Sequence, residues 1–328
     1  MTSSILPDVD TARALLREIG IIAGPEQVVP VPGGTINTTF RIAQGRESPL
    51  YLRIAPDDDE VEAGPGWLSA HGLRREAAAI GMLDAISELL PRTVHADWSR
   101  ELINRDWVLQ TEVPGRPWSE IDEDLTPDEH TSLWRQLGSI TRQIHSVVGS
   151  EFGPPEDGFG HGTWSDLVRW DVTGFRVDAH RFGIDEDPFR RLTAMVNEAV
   201  HILDKVTEPR LIHSDLHPRH LFVRRNEAGD VHISGIIDLE FARFADPYSE
   251  SIFVMDALAG NSDPGMAAFC EAYGCESPDR SFGLRSVIYQ LTALGWVVMD
   301  LHRKGQRDAI PEVLARMTAL LDRAENAM

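Results

Sequence analysis

The chain has 328 residues, of which 42% are hydrophobic and 25% charged, the composition of a folded globular protein and not of a disordered one. This length fits one large two-lobed domain or two domains. Asp and Glu number 52 against 31 Lys and Arg, so the net charge is −21. That balance argues against a nucleic-acid-binding protein, because such proteins neutralise phosphates with Lys and Arg.

The cysteine count and the lack of a secretion signal favour a cytoplasmic protein. Cys270 and Cys275 are too few for a disulfide framework, and we expect two separate, inert thiols. Residues 1–8 lack the basic and apolar regions of a signal peptide, and no stretch approaches about 18 consecutive apolar residues. The sequence therefore predicts a cytoplasmic location and no membrane span.

Up to residue 111 the pattern predicts a small, β-rich region. It opens with a helix over residues 8–23, after which the hydrophobic period changes to that of strands. Residues 56–72 are acidic and rich in glycine, which predicts a loop, and residues 73–89 return to helical spacing. The strands predicted in this region cover residues 28–31, 38–42, 50–54, 94–98 and 107–112.

The remainder, residues 112–328, is predicted to be mainly helical. A hairpin over residues 221–239, with its turn at 226–230, interrupts the helices. A short connector near residues 111–115 is expected to join the two regions. The helices predicted here cover residues 127–147, 186–206 and about 249–325.

A polar run lies between two apolar strands just before this hairpin. It contains His213, Asp215, His217 and His220, and Asp238 follows two isoleucines where the hairpin returns. Hairpin geometry predicts that Asp215 and Asp238 lie near each other. Paired carboxylates can divide the work of catalysis, since one accepts the proton of a substrate hydroxyl while the other binds a divalent metal ion.

These two segments resemble the H-G-D-L-H-P-x-N and I-I-D-W-E motifs of the aminoglycoside phosphotransferase/choline kinase-like family. Its other motifs are matched in the same order, by a glycine hairpin at 33–40, Arg53, Glu76, a hinge at 111–115 and a long helix ending at His145. The resemblance implies an α+β, bilobal, protein-kinase-like fold. A nucleotide-binding lobe would span residues 1–111, and a helical lobe with the catalytic loop, metal site and acceptor-binding helices would span 112–328.

The resemblance also implies roles for individual residues. Asp215 would accept the proton of the acceptor hydroxyl, with His213 as a second catalytic residue, and His220 and Asp238 would hold Mg²⁺. Arg53, oriented by Glu76, would pair with the phosphates of the nucleotide. The residues expected to bind the nucleotide are Gly33, Gly34, Thr35, Asn37, Thr38, Arg53, Glu76, Gln110, Thr111 and Val113.

His220 departs from the family pattern, because an asparagine usually stands there and gives its amide oxygen to the metal. A neutral imidazole suits softer metals than Mg²⁺, so a water molecule between His220 and the metal is an alternative to direct ligation. The macrolide phosphotransferases of the family resemble this chain in having a histidine at that position and an arginine where Arg53 stands. This similarity favours an active enzyme and an acceptor other than an aminoglycoside.

The sequence therefore predicts an O-phosphotransferase that uses ATP or GTP with Mg²⁺. Its acceptor would be a hydroxyl of an antibiotic-like molecule, such as an aminoglycoside, a macrolide or another natural product, and the net charge suits a cationic one. Alternatives are a kinase of choline, homoserine or a sugar-like metabolite, and, given His220, a nucleotide-binding protein without catalysis. A zinc hydrolase using His213, His217 and His220 is disfavoured, because Pro218 opposes the helix it needs.

Several other residues have expected structural roles. His145 is expected to pack behind the catalytic loop, and Asp246 to cap the segment that follows Asp238. The aromatic residues after the loop at 153–162 fit either an acceptor pocket or the core, and core is the more frequent place for aromatic helix residues. They are Trp164, Trp170 and Phe175.

Overall fold

An antiparallel five-stranded sheet forms the centre of the first lobe in the computed structural model, which describes residues 6–156, 160–260, 264–275 and 282–326. Its strands are short, and their apolar side chains bury one face of the sheet. The strand order along the sheet is β1-β2-β3-β5-β4. The strands are β1 (Val28–Pro30), β2 (Thr38–Gln44), β3 (Glu47–Ile54), β4 (Thr93–Asp97) and β5 (Trp107–Thr111).

Helix α1 (Val9–Glu18) covers the buried face of this sheet. Asp8 caps its first turn by accepting the Thr11 N–H at 2.8 Å. The helix ends before the predicted residue 23, because Gly20 takes a positive φ of 80° and turns the chain out of the helix. Leu15 and Leu16 are fully enclosed against strands β2 and β3.

The segment between β3 and the next long helix differs from the prediction. Residues 56–72 were expected to form a loop, but they contain helix α2 (Asp58–Ala63). The acidic run itself starts this helix, since Asp57 accepts the Glu60 N–H and Glu60 accepts the Asp57 N–H, both at 2.9 Å. Helix α3 (Gly72–Ile80) follows, and the predicted continuation to residue 89 consists of 3₁₀ turns instead.

Helices make up most of the second lobe, in two apolar clusters. Among the described helices, α11 alone is long and apolar enough to cross a membrane, and its buried face packs on α6, α9 and α12 inside the lobe. The helices are α4 (Trp118–Ile121), α5 (Pro127–Ile144), α6 (Trp164–Phe182), α7 (Asp187–Glu198), α8 (Val200–Leu203), α9 (Ser251–Leu258), α10 (Met266–Tyr273), α11 (Phe282–Arg303) and α12 (Ile310–Glu325).

Two small sheets interrupt these helices, as the sequence predicts for the hairpin. The predicted turn forms, with the Asn226 N–H donating to the Asp230 carbonyl at 3.0 Å. The hairpin pairs Leu221 with Ile236, so the segments before and after it leave the sheet at the same end. The strands are β6 (Arg116–Pro117), β7 (Arg210–Ile212), β8 (Leu221–Arg225), β9 (Val231–Ile236) and β10 (Arg243–Ala245), in sheets ordered β6-β8-β9 and β10-β7.

The two cysteines form a disulfide, so the prediction of two separate thiols is wrong. Gly274 ends α10 with a positive φ of 85°, and the N–H groups of Gly274 and Cys275 both donate to the Cys270 carbonyl, at 2.9 and 3.0 Å. This turn folds the chain back over the last turn of α10 and brings the two Cα atoms to 4.9 Å. A disulfide spans that separation.

The predicted combination of a β-rich first lobe with a helical second lobe is confirmed. Strand β5 ends at Thr111, where the predicted connector begins. The division of the chain into residues 1–111 and 112–328 stays a prediction.

Candidate active site

A cleft of about 1590 Å³ opens between the two lobes. The glycine hairpin between β1 and β2 lines it from the first lobe, and the segment before β8 lines it from the second, together with α6, α9 and α11. Pockets for one small molecule commonly measure about 300–1,000 Å³. The cleft therefore has room for two ligands side by side.

Asp215, His220 and Asp238 form a cluster on the floor of this cleft. One ligand atom from each lies within 4.8 Å of the others. The Ile237 N–H donates to the His220 carbonyl at 3.0 Å, which extends the hairpin ladder and holds the two segments together. The two carboxylates thus face one crevice, as the hairpin spacing predicts.

The protonation of His220 follows from its hydrogen bonds. Nδ1 lies 2.9 Å from the Asp215 main-chain carbonyl, which can only accept, so Nδ1 carries a proton. Nε2 lies 3.4 Å from a carboxylate oxygen of Asp238. A neutral imidazole nitrogen and a carboxylate oxygen repel each other unless a proton or a cation lies between them. With two carboxylates, this donor set fits a divalent cation.

His213 lies behind this cluster and is fully buried. Its Nδ1 accepts the Asp215 N–H at 3.3 Å, and its Nε2 donates to the Ile237 carbonyl at 3.1 Å. Both ring nitrogens therefore bind main-chain groups, and the residue does not line the cleft. The same contacts oppose the zinc site of three histidines, since of these only His220 belongs to the one metal-ligating cluster found in the described parts of the chain.

The sequence analysis missed Glu250, which supports His213 from below. Its carboxylate accepts the His213 N–H at 2.6 Å and the Ser251 N–H at 2.9 Å, and His145 Nε2 lies 3.5 Å away. Burial opposes ionisation of Glu250, but His145 and His213 outweigh it and hold the pKa of this carboxyl below its usual value. One signal was present, because Glu is an unusual residue to cap a helix such as α9.

His145 and Asp246 take the structural places expected of them. His145 is buried at the end of α5, and its Nδ1 bonds to the Tyr273 hydroxyl at 2.9 Å. Asp246 accepts the Tyr248 N–H at 3.0 Å and the Tyr289 O–H at 2.5 Å, which fixes the segment after Asp238. Both predictions are confirmed.

Arg53 connects the first lobe to the metal-ligating cluster. Its guanidinium lies 2.5 Å from a Glu76 oxygen and 3.2 Å from an Asp238 oxygen, so the predicted pair with Glu76 forms despite the long segment between them. Burial opposes the charge, but Glu76, Asp238 and Glu240 raise the pKa of Arg53 above its usual value. Gln110 Nε2 donates to the same Glu76 oxygen at 3.0 Å. Glu76 itself does not line the cleft, whereas Arg53 and Gln110 do.

The glycine hairpin has the conformation that its residues require. Gly33 has a φ of 97°, and a Cβ at Gly34 would lie 2.8 Å from the Asn37 carbonyl oxygen, so both positions favour glycine. The Thr35 carbonyl accepts from Arg303 of α11 at 2.5 Å. These three predicted residues line the cleft.

Asn37 and Thr38 lie differently from the other predicted nucleotide-binding residues. Asn37 is buried, and its Nδ2 donates to Glu240 Oε2 at 2.6 Å across the lobes. Burial and the neighbouring Asp238 raise the pKa of Glu240 to about 8. Thr38 does not line the cleft, but Thr39 does, because successive residues of strand β2 face opposite sides.

The hinge after β5 begins at Thr111, which lines the cleft. The Thr111 N–H donates to the Arg92 carbonyl at 2.9 Å, and the Arg92 N–H donates to the Thr111 hydroxyl at 3.0 Å. The Arg92 N–H therefore bonds to the Thr111 side chain and not to the Thr111 carbonyl. Val113 lines the cleft against Gly235, where a Cβ would lie 1.7 Å from Val113 Cγ1.

The three aromatic residues with alternative roles divide between cleft and core. Phe175 is buried against Phe189 and Trp296, so it belongs to the core. Trp164 is buried but borders the cleft, with its Nε1 donating to Tyr289 at 2.8 Å. Trp170 is exposed and lines the cleft.

The comparisons with known proteins agree with this geometry. A family model described as a phosphotransferase enzyme family matches residues 27–285. No curated protein matches the sequence at a significant level.

The fold is similar to solved structures of aminoglycoside phosphotransferases. An apo thermostable mutant of APH(4)-Ia has a TM-score of 0.65 at 16% identity, covering 94% of this chain and 98% of that one. A ternary complex of such a mutant with AMP-PNP and hygromycin B has the same score and identity, covering 94% and 97%. The GDP and kanamycin complex of APH(2″)-IIIa has a score of 0.66 at 18% identity, covering 97% and 99%. The predicted kinase-like α+β fold is confirmed.

Proposed function

The chain belongs to the phosphotransferase enzyme family, and from this premise we propose that it transfers the γ-phosphoryl group of ATP or GTP to a hydroxyl of a small, antibiotic-like molecule. The family confirms the predicted enzyme class, a nucleotide-dependent phosphotransferase with an alcohol as acceptor. The observation that carries the proposal is the cluster of Asp215, His220 and Asp238 on the floor of the interlobe cleft.

Asp215 is the residue we assign as the base. Its side chain is 39% exposed, so a carboxylate oxygen is open to the cleft, while its main chain is held by His213 on one side and His220 on the other. Asp215 accepts the proton of the acceptor hydroxyl while the oxygen of that hydroxyl forms a bond to the γ-phosphorus. The bond between the γ-phosphorus and the bridging oxygen breaks, and the nucleoside diphosphate leaves. A positioned base contributes about 10²–10⁴ in rate.

Asp238 and His220 would hold Mg²⁺, whose charge offsets that of the phosphates when it is bound. Arg53 lies beside Asp238 and would add a positive charge for the α- and β-phosphates. Glu76 holds Arg53 from behind, and Gln110 in turn donates to Glu76, so we assign Glu76 to positioning. His213, which is buried under the loop, has a positioning role as well.

The nucleotide is expected to lie under the glycine hairpin. Main-chain N–H groups at Gly33, Gly34 and Thr35 can approach phosphate oxygens, since glycine leaves no side chain in the way. The Thr111 carbonyl and the Val113 N–H are proposed to meet the edge of the purine, since both residues line the cleft. The complexes of similar structures with AMP-PNP and GDP support a nucleotide donor but do not choose between ATP and GTP.

The acceptor is proposed to be a hydroxylated natural product, and the biological role to be resistance. Support comes from similar structures that hold kanamycin or hygromycin B beside the nucleotide. A cytoplasmic location stays a prediction.

A screen of candidate acceptors with ATP and GTP in parallel tests the proposal. Transfer of one phosphoryl group is read as a mass gain of about 80 Da. If the native protein binds nucleotide but modifies no acceptor while His220→Asn does, the chain is a degenerate nucleotide-binding protein and the proposal is wrong.

The variant Asp215→Asn tests the assigned base with the first acceptor found. We expect turnover to fall by about 10²–10⁴ with nucleotide affinity unchanged, because only the proton acceptor is lost. The control is Asp230→Asn at the exposed hairpin turn, which should behave as the native enzyme. Turnover of Asp215→Asn near the native value would remove Asp215 from this role.

A further inference from the structure

We infer that the acceptor is an uncharged, largely apolar alcohol and not a polyamine. The inference rests on the proposed function, because it concerns the half of the cleft beside Asp215. That half is bordered by helices α6, α9 and α11 and by the described residues 154–156 and 160–161, which we call the acceptor wall. Its apolar surface and the pairing of its charges both lead to this conclusion.

The acceptor wall exposes large apolar side chains from three different helices. Trp170 on α6 is 57% exposed, Met255 on α9 is 51% exposed and Val297 on α11 is 45% exposed, and all three line the cleft. Contact of such side chains with water costs about 25 cal/mol per Å² relative to burial. Exposed apolar side chains that line a concave site favour an apolar ligand there.

An aromatic cluster closes the base of the wall. Trp67, Phe241 and Trp296 all line the cleft, and their ring centroids lie 5.3 to 5.9 Å apart. Each comes from a different part of the chain, so the cluster is rigidly assembled and does not depend on one loop. Such a base offers ring faces and edges to an apolar molecule, with few groups for polar recognition.

The acids of the acceptor wall are already paired with cations. Glu156 accepts three bonds from Arg75 at 3.0 to 3.2 Å, and Asp171 accepts from Arg243 at 2.7 Å. Asp300 accepts from Arg303 and Lys304, both at 2.6 Å. Among the described residues that line the cleft, these are the three acids on the elements that form the acceptor wall, and four cations pair with them.

The pairing decides against a polycationic acceptor. An ammonium group would have to displace an arginine from its carboxylate or stay without a partner in a partly dry site, and both are unfavourable. The net charge of −21 does not compensate, since charges beyond about 8–10 Å are screened at ordinary salt. The local pairs thus outweigh the chain-wide charge that favours a cation.

Binding of two contrasting probes tests the inference without requiring turnover. Octyl glucoside, below its micelle concentration, represents an uncharged alcohol with an apolar tail, and kanamycin represents a polyamine. Their affinities for the nucleotide-loaded protein are measured by tryptophan fluorescence and calorimetry. We expect octyl glucoside to bind more tightly than kanamycin.

Two variants of the wall and one control make the test specific. Val297→Glu should weaken octyl glucoside binding and strengthen kanamycin binding, each about tenfold, as one apolar contact is exchanged for one unpaired carboxylate. Arg243→Gln should strengthen kanamycin binding similarly, because it frees Asp171. Val177 is 58% exposed on α6 but does not line the cleft, so Val177→Glu should leave both affinities unchanged.

Tighter binding of kanamycin by the native protein, or octyl glucoside affinity that Val297→Glu leaves unchanged, overturns the inference. Either result leaves the proposed function intact if Asp215→Asn still abolishes transfer to some acceptor. A protein that does not bind nucleotide contradicts the proposed function, and the inference that rests on it then falls as well.

Discussion

On the floor of the cleft the carboxylates of Asp215 and Asp238 keep oxygens open to solvent, whereas one layer deeper the carboxylate of Glu250 is enclosed on every side. The enclosed carboxylate accepts main-chain N–H groups of His213 and Ser251, so its lone pairs are used in holding the chain. The open carboxylates still have lone pairs for a proton or a metal ion. Whether an acid does chemistry or positions its neighbours thus depends on its remaining partners.

The largest expected effect is a loss of activity when one of the two open carboxylates, that of Asp238, is changed. Asp238→Asn keeps the shape of the side chain but removes the charge from the metal-ligating cluster. Mutating a residue that only hydrogen-bonds to a metal ligand lowers metal affinity or activity about 10–100-fold. We therefore expect loss of the proposed ligand Asp238 to lower the transfer rate by at least about 10². The free energy of unfolding, measured in urea, should stay within about 1 kcal/mol of the native value.

Glu227→Gln, at the exposed hairpin turn, is the matched control for Asp238→Asn and should change neither quantity. If Asp238→Asn clearly lowers the stability but keeps the activity, Asp238 has a structural role and not the proposed chemical one.

Substitution of Glu250, which lies beneath the floor of the cleft, is expected to lower the stability of the protein. Glu250→Gln leaves His145 without its buried anion and removes charge from the bonds to His213 and Ser251, so we expect the free energy of unfolding to fall by about 1–3 kcal/mol. Urea denaturation at pH 7 measures this, with Glu198→Gln on the exposed face of α7 as the control. An unchanged denaturation midpoint would show that enclosure does not make Glu250 structural.

The smallest expected effect concerns a second enclosed acid, in the first lobe. Asp106 accepts from Arg74 at 2.6 and 2.7 Å and from Arg100 at 3.0 Å. Burial opposes its ionisation, but these arginines outweigh burial and lower the pKa of Asp106. Because the pKa of Asp106 is lower in the folded state, its charge stabilises the fold at pH values above its unfolded-state pKa of about 3.9. This stabilisation is lost as the pH falls below that value.

Comparing the native protein with Asp106→Asn therefore yields a pH-dependent difference. We expect the native protein to be more stable by about 1 kcal/mol at pH 6, with the difference shrinking as the pH approaches 3. Asp124→Asn, which changes an exposed acid, should produce no such trend. A difference that stays constant over this range would contradict the role of the Asp106 charge.

The sequence was sufficient to predict which charged residues of the cleft lie close together. Residues 213–220 and Asp238 are joined by one hairpin, whose register brings them together. Arg53 and Glu76 meet despite the long segment between them.

Other features depend on contacts that spacing does not encode. Helix α2 was missed although Asp57 and Glu60 have the spacing of a capping box, since the acidic and glycine-rich composition favoured a loop. The disulfide depends on the left-handed turn at Gly274. The charge pairing in the acceptor wall joins residues far apart in sequence, such as Asp171 with Arg243, so composition alone could not predict it.

The hairpin formed by β8 and β9 has a practical consequence beyond catalysis. Its turn, residues 226–230, is exposed and lies at the end opposite the catalytic loop, about 16 Å away for a five-residue strand at about 3.3 Å per residue. Exposed turns tolerate insertions well. A fluorophore or surface tether placed at Ala228 would therefore keep a fixed distance from the reacting atoms, which allows the enzyme to be immobilised while it turns over.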